Sequence, residues 1–368
     1  MGTKPTVERR SGHPYYMYEA VCVQPQLVAR MLTERRAAIE RAADAAAAAK
    51  RILYLGIGTS LHAAAIGERF LRHLTGGRAH AQVEHSYEFV NYPIALGADD
   101  FVVVVSHRGW KAFSVEALKK AKAMGAHTLS VTGEHGDQAI HAADFVIETC
   151  EQEICFAHTK SYTTALAVLA LFALGVAEKR GHLREANARK QLDQVPEWTK
   201  QAFTSETQAR AAAKAVASRP QVVFTGAGPN SFTAWEASLK VKETSYMATE
   251  GFESEQFLHG PLSEVDDRVA LVAVLTGGPT EARNLAILRA AGEVGALRVA
   301  VANRAQSPEL PAEHILEMPA VPEWLSPFIT IVPLQLLTYF LALERGTNPD
   351  TAREHEPAHE RAKAHYQL

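Results

Sequence analysis

The stretch that decides the fold is Leu53-Tyr54-Leu55-Gly56-Ile57-Gly58-Thr59-Ser60, an apolar run that ends in a glycine-rich turn. A similar stretch, Val223-Phe224-Thr225-Gly226-Ala227-Gly228-Pro229-Asn230, lies 170 residues later. The same offset relates Ser106 to Thr276, Gly125 to Gly295, Val131 to Val301 and Ala142 to Ala312. A constant offset over four strand-like segments indicates two copies of one unit. Two such copies would enclose a cleft.

Short apolar runs alternate with helical segments in both copies. The predicted strands of the first copy are 52–55, 83–85, 101–105, 128–131 and 145–147, and those of the second are 222–224, 269–275, 298–301 and 315–318. The segments between them have helical character, and 163–174 and 328–343 are the most apolar. Alternating strands and helices form parallel, right-handed β-α-β units. The predicted fold class is therefore α/β, with two Rossmann-like halves.

Composition limits the classes of function. The chain has 368 residues, 47% hydrophobic and 21% charged, with a net charge of −3, so a nucleic-acid or anionic-membrane partner has no electrostatic support. The three cysteines, Cys22, Cys150 and Cys155, lack metal-site spacing and suit a reducing, cytoplasmic setting. The first ten residues are polar, unlike a signal peptide. The longest apolar run, 165–177, suits a buried helix better than a membrane span.

The predicted organisation has four parts. Residues 1–34 form a helical lead-in, 35–190 the first domain, 191–345 the second domain and 346–368 a charged tail. The tail is either solvated or a strap over the active site. His355 and His359 stand four residues apart with His365 beyond, a spacing that can bind a metal on a helix. The solvated or strapping tail is the favoured interpretation, and we expect neither a metal nor a cofactor.

Three segments of the first copy follow predicted strands and fall at the carboxyl edge of its sheet, where open α/β sheets bind ligands. They are Gly58-Thr59-Ser60, the loop from Ser106 to Lys111, and the stretch from His158 to Thr164. Helix N-termini and hydroxyl groups there suit a phosphate, and Arg108 or Lys111 would add charge. For any one segment alone, an ordinary helix cap is the favoured interpretation. Together they favour an anion site over a nucleotide cofactor, because the third glycine of the dinucleotide motif is missing.

The second copy carries charge on its first helix instead. Glu236, Lys240 and Glu243 are spaced i, i+4 and i+7 and share one face. His259 follows downstream. A solvated helix face is the alternative interpretation. The helix starts at a glycine-rich strand end beside the predicted cleft, and a carboxylate and an imidazole there can serve as base and acid.

These motifs resemble the double-SIS (sugar isomerase) domain family. Gly58-Thr59-Ser60 and the stretch from Ala157 to Thr164 are similar to the first SIS domain. The helix from Glu236 to Tyr246, followed by Leu258-His259-Gly260-Pro261-Leu262, is similar to the second SIS domain of the isomerase half of glucosamine-6-phosphate synthase. The resemblance covers the chain from about His13 onward. It implies two tandem SIS domains, each a flavodoxin-like three-layer sandwich, and no glutaminase domain.

The resemblance also implies residue roles. Glu243 matches the base that moves a proton between C1 and C2, and Lys240 the lysine that holds the ring-opened sugar. His259 matches the histidine that opens the ring, supplied by the neighbouring subunit of a homodimer with shared active sites. Lys363 is the counterpart of a C-terminal lysine, although its spacing from Pro357 is one residue longer than the family pattern. The implied phosphate- and hydroxyl-binding positions are Gly58, Thr59, Ser60, Ser106 and Thr159.

The phosphate loop departs from the family pattern Ser-Gln-Ser-Gly-Glu-Thr. Here it reads Ser106-His107-Arg108-Gly109-Trp110-Lys111, so two hydroxyls are replaced and two cations are gained. His158 stands where the family has a serine. His107, Arg108, Lys111 and His158 therefore become candidate substrate ligands, with Arg108 and Lys111 positioned to hold a phosphate.

The sequence thus favours an enzyme that isomerises a ketose or aldose phosphate, or an amino-sugar phosphate such as glucosamine 6-phosphate. Two alternatives stay open. One is a deaminase or deglycase that releases an amine by the same proton transfer. The other is a sugar-phosphate sensor without catalysis, which the altered loop favours and the retention of Glu243, Lys240 and His259 opposes.

Overall fold

The computed structural model describes residues 8–136, 139–303, 305, 310–354 and 356–366, and these contain two parallel five-stranded sheets. The strands of the first sheet are β1 (Arg51–Gly56), β2 (His80–His85), β3 (Asp100–Ser106), β4 (His127–Thr132) and β5 (Phe145–Glu148). Those of the second sheet are β6 (Gln221–Gly226), β7 (Ala248–Glu253), β8 (Val269–Val274), β9 (Leu297–Ala302) and β10 (His314–Glu317).

The two sheets have the same strand order. The first runs β2-β1-β3-β4-β5 and the second β7-β6-β8-β9-β10, with every neighbouring pair parallel. This is the flavodoxin-like order, and its topological switch point lies where β1 and β3, or β6 and β8, diverge. The prediction of two copies of one parallel α/β unit is therefore confirmed.

The register corrects one detail of the repeat. Leu55 pairs with Val104 in the first sheet, and Thr225 pairs with Ala273 in the second. The offset is thus 170 residues at β1 and β6 but 169 at β3 and β8. The predicted constant offset is wrong here, and the structural counterpart of Ser106 is Leu275. A one-residue deletion in the connection between these strands changes the sequence offset between the two copies but leaves the sheet topology unchanged.

Helices cover the sheets and join the copies. Those of the first half are α1 (Tyr16–Cys22), α2 (Gln24–Glu34), α3 (Arg36–Ala47), α4 (Thr59–Thr75), α5 (Ser86–Asn91), α6 (Ala112–Ala123) and α7 (Lys160–Lys179). Those that follow are α8 (Ala188–Ala202), α9 (Glu206–Val216), α10 (Asn230–Ser245), α11 (Ser254–Leu258), α12 (Glu281–Glu293), α13 (Ser326–Glu344) and α14 (Pro357–Lys363).

The core lies around α7 and α13. Helix α7 packs against α2, α3 and α4, and α13 packs against α1, α8, α9 and α10. By length and composition, Lys160–Lys179 and Glu323–Glu344 could cross a membrane, but they are almost wholly buried inside the fold. Their apolar character is therefore accounted for by the protein interior, because a helix that is hydrophobic all round suits a core position as well as a bilayer.

The quoted glycine turn fixes how β1 enters α4. A Cβ at Gly56 would lie 2.5 Å from the backbone carbon of Ser60, so only glycine lets the helix start so close to the strand. Gly58 has φ +57°, a left-handed conformation that favours glycine. Gly228 repeats this conformation before α10, with φ +56°. Both copies therefore direct a helix N-terminus toward the carboxyl edge of their sheet.

Sequence reasoning missed β7, a strand at the edge of the second sheet that pairs with β6. Its sequence, Ala-Thr-Glu-Gly-Phe-Glu, is half exposed and polar, so it lacks the apolar run used to find the other strands. Gly251 allows α10 to pack on it closely, since a Cβ there would lie 2.7 Å from the backbone oxygen of Ala234. This contact places α10 over the carboxyl side of the sheet.

Candidate active site

Helix α4 of the first domain meets α10 of the second domain in a charged, buried network. The ammonium group of Lys240 lies 2.5 Å from Glu243 Oε2 and 3.3 Å from Glu236 Oε1, and it donates to Thr59 Oγ1 at 3.0 Å. The Thr59 hydroxyl in turn donates to Glu236 Oε1 at 3.0 Å. Lys240 and Glu236 are completely buried, so the solvated-face interpretation of this helix is wrong.

The network fixes the charges of Lys240 and Glu243. Burial would lower the pKa of Lys240, but the carboxylates of Glu236 and Glu243 outweigh it and raise that pKa above its ordinary value. Burial raises the pKa of Glu243, and the adjacent ammonium only partly opposes this. The site therefore holds a permanent cation beside a carboxylate of increased basicity, the pairing that a proton transfer next to a developing oxyanion requires.

The carboxyl edge of the first sheet forms a small cavity beside this network. Thr59, Ser60, His107, His158 and Ser161 line it with polar atoms, together with apolar atoms of β3, β4 and α7. Three of the predicted ligand segments thus converge on one place. Thr59 belongs both to the cavity wall and to the Lys240 network, so the cavity and the charged cluster are parts of one site.

A buried carboxylate already occupies the N-terminus of α7. Glu153 accepts hydrogen bonds from the backbone N–H groups of Thr159 and Ser161, each at 2.8 Å, and from the hydroxyls of both. Burial alone would raise the pKa of Glu153, but His158, His107 and these donors bring it down to about 2. Thr159, a predicted substrate ligand, is fully buried and directs its N–H and hydroxyl to Glu153.

Two imidazoles that replace family residues stand beside Glu153. The rings of His107 and His158 lie 5.1 Å apart in an edge-to-face arrangement. Burial lowers the pKa of His107 to about 4 and that of His158 well below its ordinary value. Both rings are therefore neutral at pH 7, and they contribute hydrogen-bonding atoms to the cavity without a positive charge.

Among the residues that the structure describes, one cluster has side chains that could hold a metal ion: His107, Glu153 and His158. The hydrogen bonds already made by Glu153 and by His107 Nε2 argue against that use, while the buried Nδ1 of His107 has no partner among the described residues. His107 Nε2 accepts the backbone N–H of Glu153 at 3.3 Å, and each Glu153 oxygen already has several donors. A metal ion would have to displace the cap of α7, so this cluster fits a structural cap better than a cation site.

The other predicted first-domain ligands lie on the loop after β3. Ser106 ends that strand and is buried, and Arg108 packs over the Trp110 ring at 5.6 Å. Lys111 precedes the first residue of α6. Of this loop, His107 lines the cavity, whereas Ser106, Arg108 and Lys111 are not among its lining residues. Arg108 and Lys111 are half-buried.

Two predicted catalytic residues are not brought to the network within this chain. His259 follows α11, is mostly exposed and pairs with Glu255 at 3.1 Å. Lys363 ends α14, where its amine lies 3.4 Å from Glu354. For the proposed metal spacing in the tail, His355 falls outside the described residues, and His359 lies within 3.2 Å of Arg353.

The segment before α14 is anchored next to the site. The Thr347 hydroxyl donates to the backbone oxygen of Thr244, near the end of α10, at 2.6 Å. The Tyr246 hydroxyl donates to the backbone oxygen of Thr351 at 2.6 Å, and the backbone oxygen of Asp350 accepts the N–H of Phe156 at 2.9 Å. The chain after α13 thus connects α10 with the loop that carries Glu153.

Sequence reasoning missed His62 and Glu153 and gave Glu236 no place in the site. His62 Nδ1 lies 2.7 Å from Glu236 Oε2. The sequence feature that could have pointed to His62 is its position three residues after Thr59, which puts both residues on the same face of α4. The signal for Glu153 was an acidic residue just ahead of a helix whose first turn is rich in Ser and Thr, where carboxylates are favoured.

Comparison with known proteins decides the family. The sequence profile of the SIS domain matches residues 47–175 and again 216–345. The chain belongs to the SIS domain family. The two profile matches contain the two parallel sheets, and the glycine turns at Gly56 and Gly226 lie one in each SIS domain.

One curated relative of these two SIS domains is glutamine–fructose-6-phosphate aminotransferase (isomerizing) from Thermococcus kodakarensis. It is 32% identical over 350 residues, which are 94% of this chain and 58% of the relative. The chain thus spans little more than half the length of that protein, in agreement with a match to an isomerase half alone.

Solved structures show the same fold. The C-terminal domain of glucosamine-fructose-6-phosphate aminotransferase from Francisella tularensis superposes with a TM-score of 0.85 at 23% identity, covering 94% of this chain and all of that one. Tagatose-6-phosphate ketose/aldose isomerase from Escherichia coli gives a TM-score of 0.76 at 22% identity, covering 94% and 97%. At these identities the likeness shows the double-SIS fold alone.

Proposed function

We propose that this chain is a sugar-phosphate isomerase that interconverts a ketose and an aldose or amino-sugar phosphate by moving a proton between C1 and C2. The observation that carries the proposal is the contact of Lys240 with both Glu243 and Thr59. It joins a basic carboxylate of the second SIS domain to the ligand-binding edge of the first. The names of the aminotransferase and isomerase relatives point to the same substrate class.

The residues have distinct roles in this mechanism. Glu243 removes the proton from one of the two carbons and returns it to the other, and its raised pKa increases its strength as a base. The Lys240 ammonium stabilises the negative charge that develops on the sugar oxygen. The N-terminus of α4, with Thr59 and Ser60, binds substrate oxygens, while Arg108 and Lys111 hold the phosphate.

The exposed position of His259 supports a homodimer in this proposal. Sugar-ring opening needs an acid-base group, and in this chain the His259 ring points away from the Lys240 network toward Glu255. We propose that His259 of one copy completes the site of the other. Lys363 on α14 would likewise have to move to reach a substrate. Such an enzyme would act on small metabolites in the cytoplasm.

A second candidate function rests on the altered loop. His107 and His158 are neutral and line the cavity, whereas Arg108 and Lys111 of the loop after β3 are not among its lining residues. This favours a sensor or an unusual substrate. Amine release would use the same proton transfer, and an ammonia assay separates it from simple isomerisation.

Proton exchange at C1 and C2 tests the proposal directly. The protein is incubated in D₂O with fructose 6-phosphate, which carries its exchangeable hydrogens on C1, or with glucosamine 6-phosphate, which carries its exchangeable hydrogen on C2. Deuterium at these carbons is followed by NMR. We expect Glu243→Gln to slow the exchange by about 10²- to 10⁴-fold, the usual contribution of a general base, while a thermal-shift assay still detects binding. The matched control is Glu293→Gln, an exposed carboxylate on α12.

Three outcomes separate the candidates. Exchange in the parent that survives in Glu243→Gln contradicts the assignment of the base. Binding by the parent without exchange, for every sugar phosphate tried, supports the sensor. Exchange accompanied by ammonia from glucosamine 6-phosphate supports the amine-releasing enzyme.

A further inference from the structure

The Lys240 network reaches a second surface, away from the cavity. An open groove runs along the junction of α4 and α10, and it is lined by Gly58, His62, Trp235, Lys242, Glu250 and Phe252. His62 is the groove residue that touches the network, because its Nδ1 lies 2.7 Å from Glu236 Oε2. Its side chain is 12% exposed, while that of Glu236 is completely buried.

The hydrogen bonds of Glu236 explain what this contact does. Oε1 accepts from the Thr59 hydroxyl and lies 3.3 Å from Lys240 Nζ, and Oε2 contacts His62. Both oxygens are therefore held by α4 of the first domain, Oε1 by Thr59 and Oε2 by His62. A carboxylate fixed at both ends presents one orientation to the lysine, which in turn lies 2.5 Å from Glu243.

We propose that His62 is a positioning residue for the base: it fixes Glu236, and Glu236 orients the Lys240 ammonium between Thr59 and Glu243. This inference rests on the proposed function and assigns a role outside the cavity, to a residue that does not touch the substrate. It also predicts that the two SIS domains must stay docked along α4 and α10 for the site to be active.

The contact has an electrostatic consequence. Burial and the charge of Glu236 both raise the pKa of Glu243, whereas Lys240 and His62 lower it. The groups that face His62 are Glu236 in direct contact, the Trp235 ring at 6.2 Å, and Lys242 and Glu250 across the groove. Removing the imidazole leaves the charge of Glu236 less compensated, so the pKa of Glu243 rises further.

Kinetics test the positioning role. We expect His62→Leu to lower kcat by about 10- to 100-fold, the usual effect of a small misplacement, with KM for the sugar phosphate changed less than about threefold. The acidic limb of the pH profile of kcat/KM should move to higher pH. His62→Asn, whose amide nitrogen replaces Nδ1 as a donor, should recover most of kcat. His73→Asn is the matched control, because His73 is exposed near the end of α4 and its ring stacks on Trp324.

An NMR measurement tests the same inference without turnover. A buried ammonium with three acceptors exchanges its protons slowly, so Lys240 should give a visible lysine NH₃⁺ signal in the parent, in His62→Asn and in His73→Asn. His62→Leu should lose it, and His62→Ala replaces that variant if leucine prevents folding. A signal and a kcat both unchanged in the donor-less variant overturn the proposal. If the parent shows the signal but isomerises no sugar phosphate, and His62→Leu loses the signal, the positioning role is upheld and the proposed function is rejected.

Discussion

Replacing Lys240 with methionine is the sharpest perturbation of this fold. The side chain keeps its length, but the ammonium that separates Glu236 from Glu243 is lost. With an effective dielectric constant near 20, attraction at the 2.5 Å contact is about 7 kcal/mol before the desolvation of the charges is subtracted. Breaking a buried ion pair by removing one partner costs about 3–5 kcal/mol, because the other charge remains buried and uncompensated. We expect Lys240→Met to lower the free energy of unfolding by about 3–5 kcal/mol at pH 8.

The stability lost in Lys240→Met should become larger as the pH rises. The pKa of Glu243 is raised in the folded protein, and it rises further without the ammonium. The folded state then binds more protons than the unfolded state above the ordinary carboxyl pKa, so stability falls as pH increases through this range. The penalty of Lys240→Met should accordingly be smaller at pH 5 than at pH 8. Lys240→Met with Glu243→Gln should recover part of the loss, because one unpaired carboxylate is removed.

Urea denaturation followed by tryptophan fluorescence measures this effect, since Trp235 lies on the same helix. If the two SIS domains unfold in separate transitions, the transition that reports α10 is used. Lys242→Met is the matched control, because Lys242 is exposed on α10 and should change stability by less than about 0.5 kcal/mol. Equal stability of Lys240→Met and the parent at pH 8, or a cost independent of pH, would refute the reasoning.

Two further substitutions test how the site is built. Glu153→Gln should destabilise the protein by about 2–3 kcal/mol at pH 7, because charge-assisted hydrogen bonds to the N-terminus of α7 are weakened. The pKa of Glu153 is about 2, against an ordinary 4.5. The stabilisation is therefore complete above pH 4.5 and disappears as the pH falls toward 2. The melting temperatures of parent and variant should converge near pH 2. Gly56→Ala should cost more than about 2 kcal/mol, because its Cβ would lie 2.5 Å from backbone atoms of Ser60, while Gly97→Ala, with open space around it, should be nearly neutral in the same denaturation assay. An unaffected Gly56→Ala would contradict the close strand-to-helix turn.

The charged face of α10 could be predicted from the sequence. The spacing of Glu236, Lys240 and Glu243 predicts one shared face, and in α10 the lysine does contact both carboxylates. The sequence could not show whether that face meets water or protein. That depends on α4 from the other domain, which supplies Thr59 and His62, and on the close packing of α10 against Gly251.

The sequence by itself determined the repeat, the parallel α/β architecture and the glycine turns, because these depend on local periodicity and on backbone conformations available to glycine. Tertiary structure alone decided which polar groups remain for a ligand. Thr159 has the N–H and hydroxyl donors that a phosphate site needs, but both donate to the carboxylate of Glu153, six residues earlier in the chain. Hydrogen-bonding capacity is consumed by contacts in space, so a motif gives the donors of a site but not their partners.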